Sequence, residues 1–154
     1  MSEQLEQDKP VGKGPGKISR WVQRRANART VQRIRRKGGR MMAMDVLILH
    51  TRGRVSGQPR ETPLAWFDGG TGSWLVVGSG GGDRHPDWYW NLIAQPDSVA
   101  VEFHGRDPQP VTPHELRGSE REEAWKTIAS AQPRIAKYQS KAVREYPVIR
   151  LTAK

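Results

Sequence analysis

Apolar positions fall in short runs separated by glycine, proline and aspartate, a pattern that predicts many short strands with a few helices between them. Residues 45–51 (DVLILHT) are apolar over strand length without alternation, so both faces of that strand are expected to be buried. A turn over 52–58 leads to a second strand at 60–67; residues 68–72 (DGGTG) carry hairpin turn chemistry, and 73–77 (SWLVV) return as a third strand. Residues 78–85 hold too many glycines for regular structure. Pro86 suits the first turn of a helix with Asp83 as its expected cap, and the four-residue spacings of Trp88 with Leu92 and Tyr89 with Ile93 carry that helix to Gln95. Residues 98–104 (SVAVEFH) alternate as a strand, and 109–116 make another, expected at a sheet edge because Pro110 and Pro113 cannot donate to a ladder. Ser119 and Glu122 have the spacing of a capping box ahead of a helix that buries Trp125, Ile128 and Ala129. Pro133 opens a shorter helix carrying Ile135 and Tyr138, and 146–152 form the last strand. Six or so strands, mostly hairpin-linked and with a helix after the third, predict a small antiparallel barrel decorated by helices.

The first forty residues break this pattern. Residues 1–16 are polar, with proline and glycine, and predict a flexible leader. Residues 17–37 contain helix formers and neither glycine nor proline, which predicts a helix within a basic arm at 17–40, ahead of a barrel domain at 41–154. Its apolar stripe is poor: at 100° per residue, Ile18, Trp21 and Val22 share one side while Val31 and Ile34 fall nearly opposite. Two short helices broken near 27–30, or one helix lying against two surfaces, would satisfy that pattern.

Charge sharpens the division. The net charge is +10, yet no acid lies between Asp8 and Asp45 while twelve Lys and Arg do, and the rest of the chain is close to neutral. The arm is therefore either a solvated cationic face, a peripheral attachment to anionic lipid, or a nucleic-acid contact. Nucleic acid is the weakest of the three, because no stacking aromatics interleave the basic residues. Zero cysteine excludes disulfides and thiolate chemistry, and four histidines without paired spacing argue against a metal site. No apolar run reaches the length of a membrane span and the polar N-terminus lacks a secretory core, so a cytoplasmic protein is expected, with the inner face of the cell membrane as a candidate surface for the arm.

Candidate chemistry concentrates in residues 51–91, which hold four arginines, two glycine-rich turns and four of the six tryptophans. Arg52, Arg54 and Arg60 flank one turn, and Arg84 follows Ser79, Gly80, Gly81 and Gly82 at the other. Two such turns, if they face each other, surround one anionic ligand with backbone N–H groups and guanidinium forks. The plain alternatives are hairpin-tip charges, a merely flexible glycine loop, and Trp88, Tyr89 and Trp90 as core residues.

With those residues in view the chain resembles the deazaflavin-dependent nitroreductase family, the coenzyme F420-dependent quinone and nitro reductases. The resemblance rests on TRGRVSGQPRETPL, then WLVVGSGGGDRHPDWYWNL, then KYQS ahead of a terminal YPVIRL, and covers roughly residues 41–152. It implies an α+β fold, a split β-barrel of the flavin- and deazaflavin-binding type, holding reduced 8-hydroxy-5-deazaflavin. It implies as substrates small-molecule electron acceptors: quinones, nitro compounds and activated enones. The expected reaction is transfer of a hydride from C5 of the deazaflavin to the acceptor, with the cofactor carrying the chemistry and the protein orienting it. An N-terminal segment near the membrane is a feature of some members.

Carried onto this chain, the resemblance implies that Arg54 and Arg60 hold the phosphate side, with Val55 and Ser56 between them. Glu61, Thr62, Pro63, Leu64 and Ala65 run past the ring system; Val76, Val77, Gly78 and Ser79 offer backbone groups on its other side. Asp87, Trp88, Tyr89, Trp90 and Asn91, at a helix start, supply N–H donors and a wall. Gly78, Ile135 and Tyr138 form the acceptor pocket, with Tyr138 or solvent as proton donor. The chain departs from the nitro-reducing members, which carry lysine in place of Val55, serine in place of Gly78 and tyrosine in place of Ile135. A flavin mononucleotide enzyme on the same barrel and a non-catalytic cofactor carrier or polyanion-binding protein are the alternatives.

Overall fold

A computed structural model of the chain describes residues 17–41 and 43–154, with side chains from Val22 onward. The leader at 1–16 and the side chains of Ile18 and Trp21 lie outside the described residues. The elements run α1 (Lys17–Lys37), β1 (Arg40–Met41), β2 (Met44–Arg52), β3 (Pro59–Ala65), β4 (Phe67–Asp68), β5 (Ser73–Val77), α2 (Asp87–Ala94), a 3-10 turn (Pro96–Ser98), β6 (Ala100–Glu102), β7 (Gln109–Glu115), α3 (Gly118–Ala131), α4 (Pro133–Lys141) and β8 (Val148–Ala153). The fold is mixed α+β, a curled antiparallel sheet of the split-barrel type in which the strands follow the order β1-β2-β6-β7-β8-β5-β4 and β3 pairs with the other edge of β2.

Closure depends on one chain segment. β3 pairs with β2 through seven residues, from Val46↔Ala65 to Arg52↔Pro59. Past Trp66 the same segment becomes β4, which pairs with β5 at Phe67↔Leu75 and Asp68↔Trp74. The two ends of the sheet thus meet at Phe67, and from there β3 and β5 diverge without a shared ladder, leaving the outer edge of β3 without a strand partner among the described residues. An unpaired edge with its N–H and C=O groups exposed is costly to leave open unless something covers or uses it. That opening is where the cleft lies.

Two apolar layers hold the barrel. Leu47, Leu49, Val76, Val101, Val111, Ile149 and Leu151 fill its interior under Trp88, Tyr89 and Leu92 of α2, while Leu75, Val77, Leu116, Ala124, Ile128 and Val148 pack beneath α3. β2 is buried on both faces from Val46 to Leu49, as its unbroken apolar run requires.

α1 is a single helix, not broken near 27–30; the side that would carry Ile18 and Trp21 lies outside the described side chains. Its Val31 and Ile34 are almost fully buried against Val46 and Ile48, whereas Val22 is half exposed. Burying those two side chains contributes about 1.5–3 kcal/mol each, enough to fix one face. A polar clamp completes the docking. The Arg35 guanidinium donates to both Glu102 oxygens (2.8 and 2.9 Å) and to Glu61 (3.0 Å), His50 Nε2 donates to Glu102 at 2.8 Å, and His104 Nδ1 donates to the Ile34 carbonyl at 3.0 Å.

Three local expectations are corrected. β7 is interior to the sheet, between β6 and β8, because β6 reaches only Gln109 and Pro110; Pro113 lies beyond that short ladder, where only β8 needs a partner. α3 begins at Gly118 with Arg117 before it and no side-chain cap, so Ser119 sits inside the first turn and Glu122 just past it, and the two form no capping box. α2 likewise starts at Asp87 after Pro86 without a side-chain cap, so Asp83 does not cap it.

Candidate functional site

The divergence of β3 from β5 opens a cleft of about 780 Å³. Its floor is β3 from Arg60 to Ala65 with Phe67 and Val77, one wall is the 53–56 turn, and another is made of Ser79, Gly80 and Gly81 with Pro86, Asp87, Trp88 and Asn91 of α2. Ile135 of α4 and Gln23, Arg24 and Asn27 of α1 complete the lining. The arginine hairpin and the glycine bend therefore face one space.

α2 fastens the hairpin. Asn91, which is 4% exposed, accepts from the Arg54 backbone N–H at 3.0 Å and from Arg54 Nη1 at 2.9 Å. Arg54 Nη2 meets the Asp87 carboxylate at 3.2 Å. Much of the Arg54 fork is thus spent on holding the turn to the helix. Arg60 is differently placed: its guanidinium makes two long bonds, to Ser56 Oγ and the Pro59 carbonyl, both 3.3 Å, and has no carboxylate partner among the described residues. Of the two arginines, Arg60 is the better oxyanion donor.

The glycine bend is gripped from behind by a residue that the sequence reading passed over. Arg144 donates to the carbonyls of Gly78 (2.8 Å), Gly80 (2.7 Å) and Gly82 (3.1 Å) and to His85 Nδ1 (3.0 Å), with its guanidinium 4.9 Å from the Tyr146 ring centre. Burial lowers the Arg144 pKa, and the bond it donates requires His85 Nδ1 to be unprotonated. Burial first, and the nearby Arg144 charge second, push the His85 pKa below its ordinary value. In each trans peptide the N–H points away from the C=O, so the carbonyls of Gly78 and Gly80 turned to Arg144 leave the N–H groups of Ser79 and Gly81 on the opposite side. Gly81 has a φ of +89° and a Cβ there would lie 2.6 Å from the Arg84 carbonyl, so only glycine fits this bend.

The fold and this donor set match known proteins. A sequence model of the F420H(2)-dependent quinone reductases matches residues 21–153. An F420H(2)-dependent quinone reductase of Mycobacterium tuberculosis is 32% identical over 148 residues, covering 88% of this chain and 97% of that protein. The solved structure of an F420-H2-dependent reductase superposes with a TM-score of 0.60 at 39% identity, over 69% of this chain and 92% of its own. A second, described as a domain-swapped dimer, gives 0.61 at 33% identity over 87% and 98%. The chain belongs to the F420H(2)-dependent quinone reductase family.

As a member of that family it is an oxidoreductase whose cofactor is coenzyme F420. The donors in the cleft fit such a group: the guanidinium of Arg60 and the hydroxyls of Ser56 and Ser79 for its acidic part, the unpaired edge of β3 for a heteroaromatic rim, and Leu64, Phe67, Val77 and Trp88 for a ring face. Of the residues expected to touch the cofactor, Arg54, Val55, Ser56, Arg60, Glu61, Thr62, Pro63, Leu64, Ala65, Val77, Ser79, Asp87, Trp88 and Asn91 share this cleft. Four do not reach it. Val76 is in the barrel core, Tyr89 is buried with its hydroxyl on Glu115 at 2.9 Å, Trp90 is 43% exposed, and Gly78 is buried under Pro147.

In the acceptor pocket, Ile135 lines the cleft but Tyr138 does not, standing 56% exposed farther along α4. Gly80 and Gly81 line the cleft as members of the expected glycine turn; Gly53, Phe67 and Pro86 also line it, as do the three α1 residues, and none of these was singled out for it from sequence. Only their neighbourhood to the motif residues pointed to the first three. No sequence pattern joined residues 23–27 to residues 53–65.

Proposed function

We propose that this protein passes a hydride from reduced coenzyme F420, bound along β3, to a quinone stacked at the apolar end of the same cleft. What carries the reading is that the arginine turn and the glycine bend line one cavity across the open edge of β3. When bound, the reduced deazaflavin supplies the hydride; the protein binds, orients and excludes water.

Each wall has its own part. Arg60, with Ser56 beside it, is the cationic end for the phosphate. β3 extends about 16 Å from Arg60 to Ala65 at strand rise, so anionic and apolar ends of one ligand lie along a single strand. Ser79 and Gly81 present backbone N–H groups opposite, held there by Arg144. Leu64, Phe67, Val77, Trp88 and Ile135 form the apolar end, where an acceptor without charge is preferred.

The same wall bears on acceptor choice. No hydroxyl side chain stands at position 78, and a Cβ there would lie 2.6 Å from Pro147. With Ile135 apolar as well, the acceptor end of the cleft is poor in side-chain proton donors, which favours quinones, whose reduced oxygens can be protonated from water. Ser79 is the hydroxyl nearest in sequence that does line the cleft. Tyr138 is in a position to take part only if α4 turns inward.

The test is to add reduced F420 and a panel of quinones, nitroarenes and enones to the purified protein and follow cofactor oxidation. Quinone-dependent oxidation is expected. Turnover with flavin mononucleotide in place of F420, or no turnover with any quinone, would overturn it.

A further inference from the structure

The basic arm is the one sequence feature the reaction leaves unused. At 100° per residue, Arg24, Asn27, Val31, Ile34 and Arg35 fall within an arc of about 100° on α1. The lower part of that stripe is fixed: Val31 and Ile34 are buried and Arg35 is clamped to Glu102 and Glu61. Arg24 lies two helical turns above Val31, about 10 Å along the axis. The rotation that buries Val31 therefore turns Arg24 and Asn27 toward the barrel side, where, with Gln23, they line the same cleft as Val55, Ser56 and Arg60. Gln23 Nε2 donates to Asn27 Oδ1 at 2.9 Å, tying the two side chains together.

Charge pairing in the cleft makes this rim selective for an anion. Arg54 is matched by Asp87, and Glu61 by Arg35. Arg24 and Arg60 have no carboxylate within ion-pair distance among the described residues, and Val55 between the arginines of the turn is 95% exposed and uncharged. Arg33, on the opposite side of α1 from Arg24, is exposed and does not line the cleft.

Resting on the reading of this cleft as the F420 site, we propose that α1 is a wall of it and that Arg24, with Arg60, holds the phosphate and carboxylate end of the cofactor. The arm is then a docked part of the binding site, its rotation set by Val31, Ile34 and Arg35. It supplies from the helix the cation that position 55 lacks.

The experiment uses the full chain and measures dissociation constants by tryptophan quenching, for F420 and for its ring-and-ribityl fragment without phosphate or glutamate. Wild type, Arg24→Glu, Arg24→Gln and Arg33→Glu are compared, with melting temperatures as a folding control. Arg24→Glu should weaken F420 by about tenfold, as loss and reversal of a charge-assisted contact, Arg24→Gln by less, and both should leave the fragment within about twofold of wild type. Arg33→Glu should leave both ligands unchanged. Equal effects of Arg24→Glu and Arg33→Glu on F420 would reduce the arm to a diffuse positive field and overturn the proposal. So would unchanged F420 affinity in Arg24→Glu accompanied by lost binding to phosphatidylglycerol vesicles, which would make the arm a membrane contact. Failure of the wild type to bind either ligand sinks the cleft assignment itself, whereas failure of Arg24 alone leaves it standing.

Discussion

Asn91 Oδ1 accepts two hydrogen bonds from Arg54, one from its backbone N–H and one from its guanidinium, and so ties the arginine turn to the helix across the mouth of the cleft. Removing the acceptor leaves a part-buried N–H without a partner, which costs about 1–3 kcal/mol. Asn91→Leu is expected to lower the melting temperature by several degrees and to weaken F420, because the turn carrying Ser56 loses its anchor. Thermal melts and fluorescence titration check both; a stable variant with unchanged cofactor affinity would separate the anchor from the site.

Arg60 has no competing carboxylate among the described residues, so its loss acts on binding more than on folding. Arg60→Ala is expected to raise the dissociation constant for F420 about tenfold, roughly 1.4 kcal/mol, with little change in melting temperature. An unaltered titration removes Arg60 from the site.

Arg144 and His85 set the glycine bend together. Arg144→Met breaks four bonds at once, and amide exchange across 79–84 should quicken well beyond the rest of the sheet, since those carbonyls have no other described partner to restrain the loop. Protonating His85 removes the acceptor for one of those bonds. Its folded pKa lies below the ordinary 6.5, so its contribution to stability is complete above pH 6.5 and is lost as pH falls through the folded value. An NMR titration placing His85 at or above 6.5 contradicts the arrangement.

Glu102 carries the arm on the barrel. Its pKa is lowered chiefly by the hydrogen bonds from Arg35 and further by His50, against the opposing effect of burial. With the ordinary value at 4.5, the stabilisation is fully present above that pH and lost as pH falls through the depressed one. Arg35→Met is expected to cost about 2 kcal/mol, less than the roughly 3–5 for breaking a fully buried pair, because a third of Arg35 is exposed. It should also loosen α1, which protease sensitivity near residues 23–30 would report.

Gly78→Ser restores the residue type of the nitro-reducing relatives, yet its Cβ would lie 2.6 Å from Pro147 Cγ. The variant is expected to be less stable and to gain no nitroreductase activity. A stable variant with new turnover of nitroarenes would show that the 147 segment yields readily.

How legible the chain was depends on the range of the interactions. The strands and α2 follow from local runs and turn residues such as the DGG of the 68–72 hairpin, where Gly70 N–H bonds Asp68 Oδ1. The deazaflavin motifs brought the floor and two walls of the cleft into view, because each is a contiguous segment. Caps at Asp83 and Ser119 failed because a local spacing permits a bond without requiring it, and β7 was misplaced because ladder length, which spares Pro113, belongs to the pairing of three strands.

By itself the sequence determined a split antiparallel barrel, a cationic arm, and two segments suited to a phosphate-bearing ring cofactor. Tertiary structure alone decided that Arg54 is largely engaged while Arg60 is not, that Arg144 shapes a loop more than sixty residues away in sequence, and that one stripe of the arm reaches the cleft. The physical reason is that propensity and turn chemistry act over a few residues, whereas the partner of a guanidinium and the rotation of a helix are fixed only once distant surfaces have packed.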